Sequence, residues 1–286
     1  MLSLSFGLTA ALLWATHDLL ARKLSQGVPL LPLVALVLGA GCLPLIALAV
    51  VFGGWDRMTG AAWVAAIASG FAVSLAIGGL YRAFSMAPVR LVSPIVGAYP
   101  LLTLIIAAAQ GRAITDGDWL AVALIVAGIA IVALTSREDS PGSSAAPPWL
   151  AIFWAALAAV GFAGTFALGQ LAARLGSDLP VMLVGRAVAF AILIALIGWS
   201  RGPALPPRRY IWVLIGMGLI DALALGLVTA AGSLPKAEYA AVSSSLFGVL
   251  TVLLAVWFLK EHARPVQWLG IATVFSGIAV LGVQSL

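Results

Sequence analysis

The sequence predicts an all-α integral membrane protein whose ten transmembrane helices form a 5+5 inverted repeat. Three observations carry that expectation. Of the 286 residues, 63% are hydrophobic and only 9% are charged, whereas a soluble domain uses about 25% charged residues to cover its surface. The apolar residues fall in continuous runs of about 20, the length a helix needs to cross bilayer hydrocarbon. Continuous rather than alternating runs also argue against an outer-membrane barrel. Finally, the two halves of the chain can be laid over each other without a gap near their ends.

The ten spans are 3–21, 30–53, 61–81, 91–110, 119–136, 149–173, 179–199, 210–233, 239–259 and 265–285. The first lacks a basic n-region and a small-residue cleavage site, so it reads as a retained span rather than a signal peptide. The second stops at "GGWDR" (53–57), the fourth at "GRAITDGD" (111–118) and the seventh at "RGPALPPRR" (201–209). These connectors carry helix breakers and are too short to hold a soluble catalytic domain. The fourth span, "LVSPIVGAYPLLTL", contains Pro94, Gly97 and Pro100 around Tyr99. Proline frees carbonyls and bends a spanning helix, which is tolerated beside neighbouring helices or a wet cavity. The ninth span, "AVSSSLFGVLTVL", places Ser243, Ser244, Ser245, Phe247 and Gly248 at the corresponding depth.

The repeat is clearest where "DWLAVALIVAGIAIVAL" (118–134) lies over "QWLGIATVFSGIAVLGV" (267–283). Trp119 then matches Trp268, Leu120 matches Leu269 and Gly128 matches Gly277. The same offset sets Tyr99 against Gly248 and Ala98 against Phe247. Between the halves, "SREDSPGSSAAPP" (136–148) is polar and rich in serine and proline, which marks a flexible hinge. The expected organisation is a first five-helix repeat over 1–136, a linker over 137–148 and a second repeat over 149–286. An odd number of spans per repeat inserts the two copies in opposite orientations, the plan of many secondary transporters, whose sites lie at the repeat interface.

Charge sets the orientation. The loops after odd-numbered spans hold Arg22, Lys23, Arg82, Arg90, Arg137, Arg201, Arg208, Arg209, Lys260 and Arg264. Those after even-numbered spans hold only Arg57, Arg112, Arg174 and Lys236. The positive-inside rule puts the former in the cytoplasm and both termini outside. Because the basic residues are scattered between apolar runs, the net charge of +5 is an orientation signal rather than a nucleic-acid surface. Cys42 is the single cysteine, so no disulfide framework or cysteine-built metal site is expected.

Polar groups inside a bilayer are costly, by about 2.5–3.5 kcal/mol for a charge at a helix centre, and mark sites by default. Trp14, His17 and Asp18 are spaced i, i+3 and i+4 and share one helix face. Trp14 and His17 are candidates for a substrate-facing wall. Asp18 serves either there, in coupling, or in a local pair with Arg22, four residues on. Asp221 lies in "IWVLIGMGLIDALALGLVTAAG", far from any other charge in sequence, and Arg186 is the obvious internal cation to pair with it. Alternatively one of the two holds the carboxylate or ammonium of a zwitterion. Tyr99 and Phe247 are the aromatic candidates at the loosened level of the fourth and ninth spans, with Ser244 beside Phe247. Phe162 is the corresponding residue of the sixth span, where Thr165 and Phe166 match the first-span cluster. Small-residue stretches such as "GAGC" and "GGLYRAF" point to close helix packing.

The whole chain resembles the drug/metabolite transporter superfamily, in its ten-helix EamA-like branch. The resemblance rests on the 5+5 repeat, on "LLWATHDLLARKL" in the first span, on "MLVGRAVAF" with Arg186, and on the closing unit "SSLFGVLTVLLAVWFLKEHARPVQWLGIATVFSGIAVL" with Glu261 at its acidic turn. The first half departs from it, with Arg112 where a glutamate would be expected. The resemblance implies a basket of helices around a central cavity lined by Trp14, His17, Phe162, Tyr99, Asp221, Ser244 and Phe247. It implies an inner-membrane secondary transporter that exports small metabolites, amino acids above all, similar to the YddG group of aromatic and hydrophobic amino-acid exporters. The expected partners are that small-molecule substrate and membrane lipid, with the chain working as a monomer and needing no cofactor or metal. The alternatives are an exporter of another metabolite or drug and, remotely, a lipid-modifying membrane enzyme. That enzyme would need acidic residues converging with histidines. The acidic clusters Asp116/Asp118 and Glu138/Asp139 lie in connectors, away from His17 and His262.

Overall fold

A chain this apolar satisfies its backbone most cheaply within helices, and the computed structural model is helical throughout. It describes residues 2–109, 115–137, 148–200, 202–231, 243–244 and 246–284. Among these there are eleven α-helices: α1 (Leu2–Leu24), α2 (Leu30–Phe52), α3 (Gly60–Met86), α4 (Val89–Gly97), α5 (Tyr99–Ala109), α6 (Asp116–Arg137), α7 (Pro148–Leu175), α8 (Asp178–Trp199), α9 (Ile211–Ala231), α10 (Phe247–Phe258) and α11 (Pro265–Gln284). No strand occurs among the described residues. Six helices are long and apolar enough to cross a membrane, and α10 and α11 are shorter apolar helices.

Most helix limits fall close to the expected spans. The fourth span differs: it is two helices rather than one bent helix. α4 ends at Gly97, Ala98 leaves helical geometry with ψ near 6°, and α5 restarts at Tyr99. Pro100 has no N–H to carry the ladder across that junction, so the helix breaks there. The start of the ninth span, Ser245, the Arg112 turn, Arg201, Lys236 and nearly all of the 137–148 linker lie outside the described residues.

Helix ends are set by local chemistry. Thr59 caps α3 by accepting from the Ala62 N–H at 3.1 Å, and its hydroxyl donates to Leu175 O at the end of α7. At the start of α6, Asp118 Oδ2 accepts from the Thr115 N–H. At the start of α11, Gln267 Oε1 accepts from the Arg264 N–H in the same way. Asp118 and Gln267 are aligned positions of the two halves, and so are Thr115 and Arg264.

The packing is reciprocal. α3 packs on α7 and α8, as α9 packs on α1 and α2. α1 touches α10 as α7 touches α4 and α5, and α6 lies along α11. In that last pair a Cβ on Gly128 would come within 2.6 Å of Gly270 O and 2.7 Å of Val274 Cγ2. One on Gly277 would come within 2.8 Å of Ala121 O and of Ile125 Cγ1. Ala121 aligns with Gly270 and Ile125 with Val274, so each helix offers the other the same patch. Close approach through small residues is the usual way helices associate in lipid.

The core holds Tyr81, Phe84, Leu33, Leu38, Leu214 and Met217, all fully buried. The outer surface is apolar, with Leu43, Val50, Val51, Val64 and Phe71 exposed. Trp119, Trp149, Trp199, Trp212 and Trp257 are exposed near helix ends, where an indole suits the headgroup level of a bilayer.

Candidate functional site

α1 carries Trp14, His17 and Asp18 on one face, and that face turns into the bundle. The Trp14 indole N–H donates to Asp221 Oδ1 of α9 at 3.0 Å. Arg186 Nη2 of α8 donates to the other carboxylate oxygen at 2.5 Å. The Trp14 ring meets Phe247 of α10 edge-on, with centroids 6.0 Å apart. Four helices thus converge on one carboxylate. Arg186 is only 7% exposed, and its Nη1 is buried without a hydrogen-bond partner. Glycine makes room for it: a Cβ on Gly41 of α2 would collide with Nη1 and lie 2.9 Å from Gly218 O of α9. The small residues of "GAGC" therefore let α2 and α9 close around a guanidinium.

One turn along α1, His17 Nε2 lies 2.9 Å from the Tyr81 hydroxyl of α3, and Nδ1 lies 3.3 Å from Asp18 Oδ1. All three residues are buried. An ionised Asp18 can only accept, which puts a proton on Nδ1 and, in the neutral ring, leaves Nε2 to accept from Tyr81. The local Asp18–Arg22 pair open to the sequence is not what forms. Asp18 faces inward to His17, while Arg22, at the end of α1, reaches Glu261 (Nε to Oε1, 3.2 Å). Arg22 also donates to Phe84 O at the end of α3, and Glu261 Oε2 accepts from the Val89 N–H at the start of α4.

Tyr99 belongs to a separate aromatic group. It stacks on Phe166 of α7 at 5.1 Å and tilts against Phe162 at 6.2 Å. This contact between the α4–α5 break and α7 parallels the Trp14–Phe247 contact between α1 and α10. Ser244 is buried.

A cleft of about 730 Å³ lies between α2, α8 and α9, lined by Leu45, Met182, Leu219, Ala222 and Leu223 among others, with Asp178 among its polar lining. None of the residues expected to line a central cavity borders it. Trp14, Arg186, Asp221 and Phe247 instead fill the space between their helices with contacts to one another. Tyr81 is the site residue that sequence reasoning missed: it sits in "GGLYRAF", read as a packing stretch. The available signal was that a tyrosine inside a span needs a partner for its hydroxyl. Among the described residues no three His, Cys, Asp or Glu side chains converge as metal ligands would.

These features define a helical, multi-pass membrane protein with a charged pair buried at its centre. The chain belongs to the EamA-like transporter family, whose pattern it matches twice, over residues 1–134 and 149–283. It is accordingly a membrane transporter of the drug/metabolite transporter superfamily. One solved crystal structure shares the fold with a TM-score of 0.63 at 22% identity, over 97% of this chain and 95% of that one. No curated protein matches the chain.

Proposed function

We propose that the chain is a bacterial inner-membrane secondary transporter that exports amino acids with aromatic or other hydrophobic side chains. It works as a monomer by alternating access between two inverted five-helix halves, 1–136 and 149–286. The double family match and the reciprocal α6–α11 contact support the halves. The excess of Lys and Arg in the odd-numbered loops supports cytoplasmic odd loops and outside termini.

The observation that carries the substrate reading is the Trp14–Asp221–Arg186 junction. An amino-acid zwitterion presents one carboxylate and one ammonium. Arg186 Nη1 has an unused donor, and Asp221 is an acceptor whose present partners come from both halves. Trp14 and Phe247 offer an aromatic wall for the side chain. Exchange of the Trp14 indole for the substrate ammonium at Asp221 would loosen contact between the halves, which is the coupling that alternating access needs. His17, Tyr99, Phe162 and Ser244 complete the wall in this reading, with Asp18 held by His17.

Counterflow in proteoliposomes tests it. Phenylalanine, tryptophan and leucine should exchange faster than lysine or glutamate, and Arg186→Gln should abolish exchange. Absence of counterflow with every amino acid would sink this substrate class. The apolar cleft beside Leu219 and Leu223 favours a second reading, an exporter of lipophilic compounds, and the same assay with such compounds separates the two.

A further inference from the structure

We propose that Arg22 and Glu261 are the lock of a gate at one end of the bundle, and that the short helix α4 is the part this lock holds. The inference rests on the transport cycle above and adds to it the residues that close one side.

Glu261 joins three separate stretches of chain. Its Oε1 meets Arg22 Nε at the end of α1, and its Oε2 accepts the Val89 N–H in the first turn of α4. Arg22 in turn binds Phe84 O, a residue before the end of α3. The acid comes from the α10–α11 turn of the second half, and everything it binds belongs to the first half. Bonds of this kind must break whenever the two halves separate at that end. Both side chains are close to nine-tenths buried, 13% and 11% exposed, so the charges interact in a poorly screened setting. A carboxylate on a helix N-terminal N–H is also favoured by the helix dipole.

The backbone around the lock is built to hold and release. Lys260, just before Glu261, has φ of 53°, a left-handed conformation that costs a non-glycine residue about 1–2 kcal/mol. The Glu261 N–H returns to Ala255 O at 3.3 Å, so the strained residue closes α10 and aims the next side chain at α4. At its other end α4 stops at the Ala98 break, beyond which Tyr99 is anchored on Phe166. α4 is therefore a nine-residue lever gripped at Val89 and free to turn at Ala98. Ser93, midway along it, has a buried hydroxyl with no hydrogen-bond partner. Such a group is satisfied in another position of the lever or by entering water. At the aligned position of the first half the sequence has Arg112 in place of an acid, so this clamp is not encoded at the opposite end.

The test uses full-length protein in sealed vesicles, with Cys42→Ala to remove the native thiol and Ser93→Cys as reporter. A membrane-impermeant maleimide is applied from either side, without substrate. With the lock intact, labelling should be slow from both sides. Glu261→Gln should raise the rate at least fivefold from one side only, the cytoplasmic side in the orientation above, and the swap Arg22→Glu with Glu261→Arg should bring it back down. An unchanged rate, or an equal rise from both sides, overturns the proposal, the latter because it reports loosened packing. As a second arm, cysteines at positions 22 and 261 are bridged with a short bifunctional thiol reagent. The bridge should stop transport of whichever compound the protein moves; transport at the unbridged rate overturns the lock. Because labelling needs no substrate, failure of amino-acid counterflow leaves this result readable and falls on the substrate reading alone.

Discussion

Trp14 and Asp221 stand 207 positions apart in the chain and are joined by a 3.0 Å hydrogen bond from the indole N–H to the carboxylate. The indole and Arg186 hold opposite oxygens of the same group, so the acid is fixed in orientation as well as in charge. Replacing Trp14 by phenylalanine keeps the ring against Phe247 and removes only the donor. A single hydrogen bond to a charged group is worth about 1.5–3 kcal/mol. We expect Trp14→Phe to weaken substrate binding or thermal stability, and Trp14→Ala to weaken both further. Binding isotherms and melting curves on the same purified samples check this; equal behaviour of the phenylalanine variant and the wild type would contradict it.

The Arg186–Asp221 pair makes a double-mutant prediction. Removing one member of a buried pair leaves an uncompensated charge and costs about 3–5 kcal/mol. Asp221→Ala and Arg186→Leu should each lower the melting temperature sharply, and the double variant should recover part of the loss. Additive losses would show that the two side chains act independently.

Reciprocal glycines predict reciprocal penalties. A leucine at Gly128 or at Gly277 would meet backbone atoms 2.6–2.8 Å from its Cβ, and overpacking costs about 1–3 kcal/mol. The two substitutions should lower stability by similar amounts, as read by thermal denaturation in one detergent. A leucine at Gly78, whose Cβ would meet nothing within 4 Å, should be tolerated.

Lys260 offers a stabilising change. Glycine adopts φ of 53° freely, relieving about 1–2 kcal/mol of left-handed strain, but gives back about 0.5–1 kcal/mol through its looser unfolded chain. Lys260→Gly should therefore gain roughly 0.5–1 kcal/mol, seen as a small rise in melting temperature. A fall would mean that the lysine side chain contributes more than its backbone costs.

How much of this was legible in the residues differs from place to place. Span lengths were readable because bilayer thickness sets them independently of tertiary contacts. The Asp118 and Gln267 caps repeat because they are local. The break at Ala98 showed only as a bend, since Pro94 and Pro100 announce a disturbance without saying which side of it stays helical. Arg22 had Asp18 four residues away as an obvious partner, yet its bond goes to Glu261. Which face of α1 turns inward depends on Tyr81 and Asp221, and neither is local to it. Arg186 and Asp221 were paired by elimination, as the isolated charges of two spans. That Trp14 joins them follows from how the helices pack, which no one-dimensional pattern contains.

The α6–α11 contact has a further consequence. Because each helix presents the same patch to the other, the contact is isologous in the sense used for symmetric dimers: it is self-complementary and needs no covalent tie to be specific. A polypeptide bearing only one half would already carry both sides of this joint. The fold can thus be viewed as a dimer written into a single gene product. Two separately expressed pieces, cut within 138–147, are expected to find each other in the bilayer and co-purify.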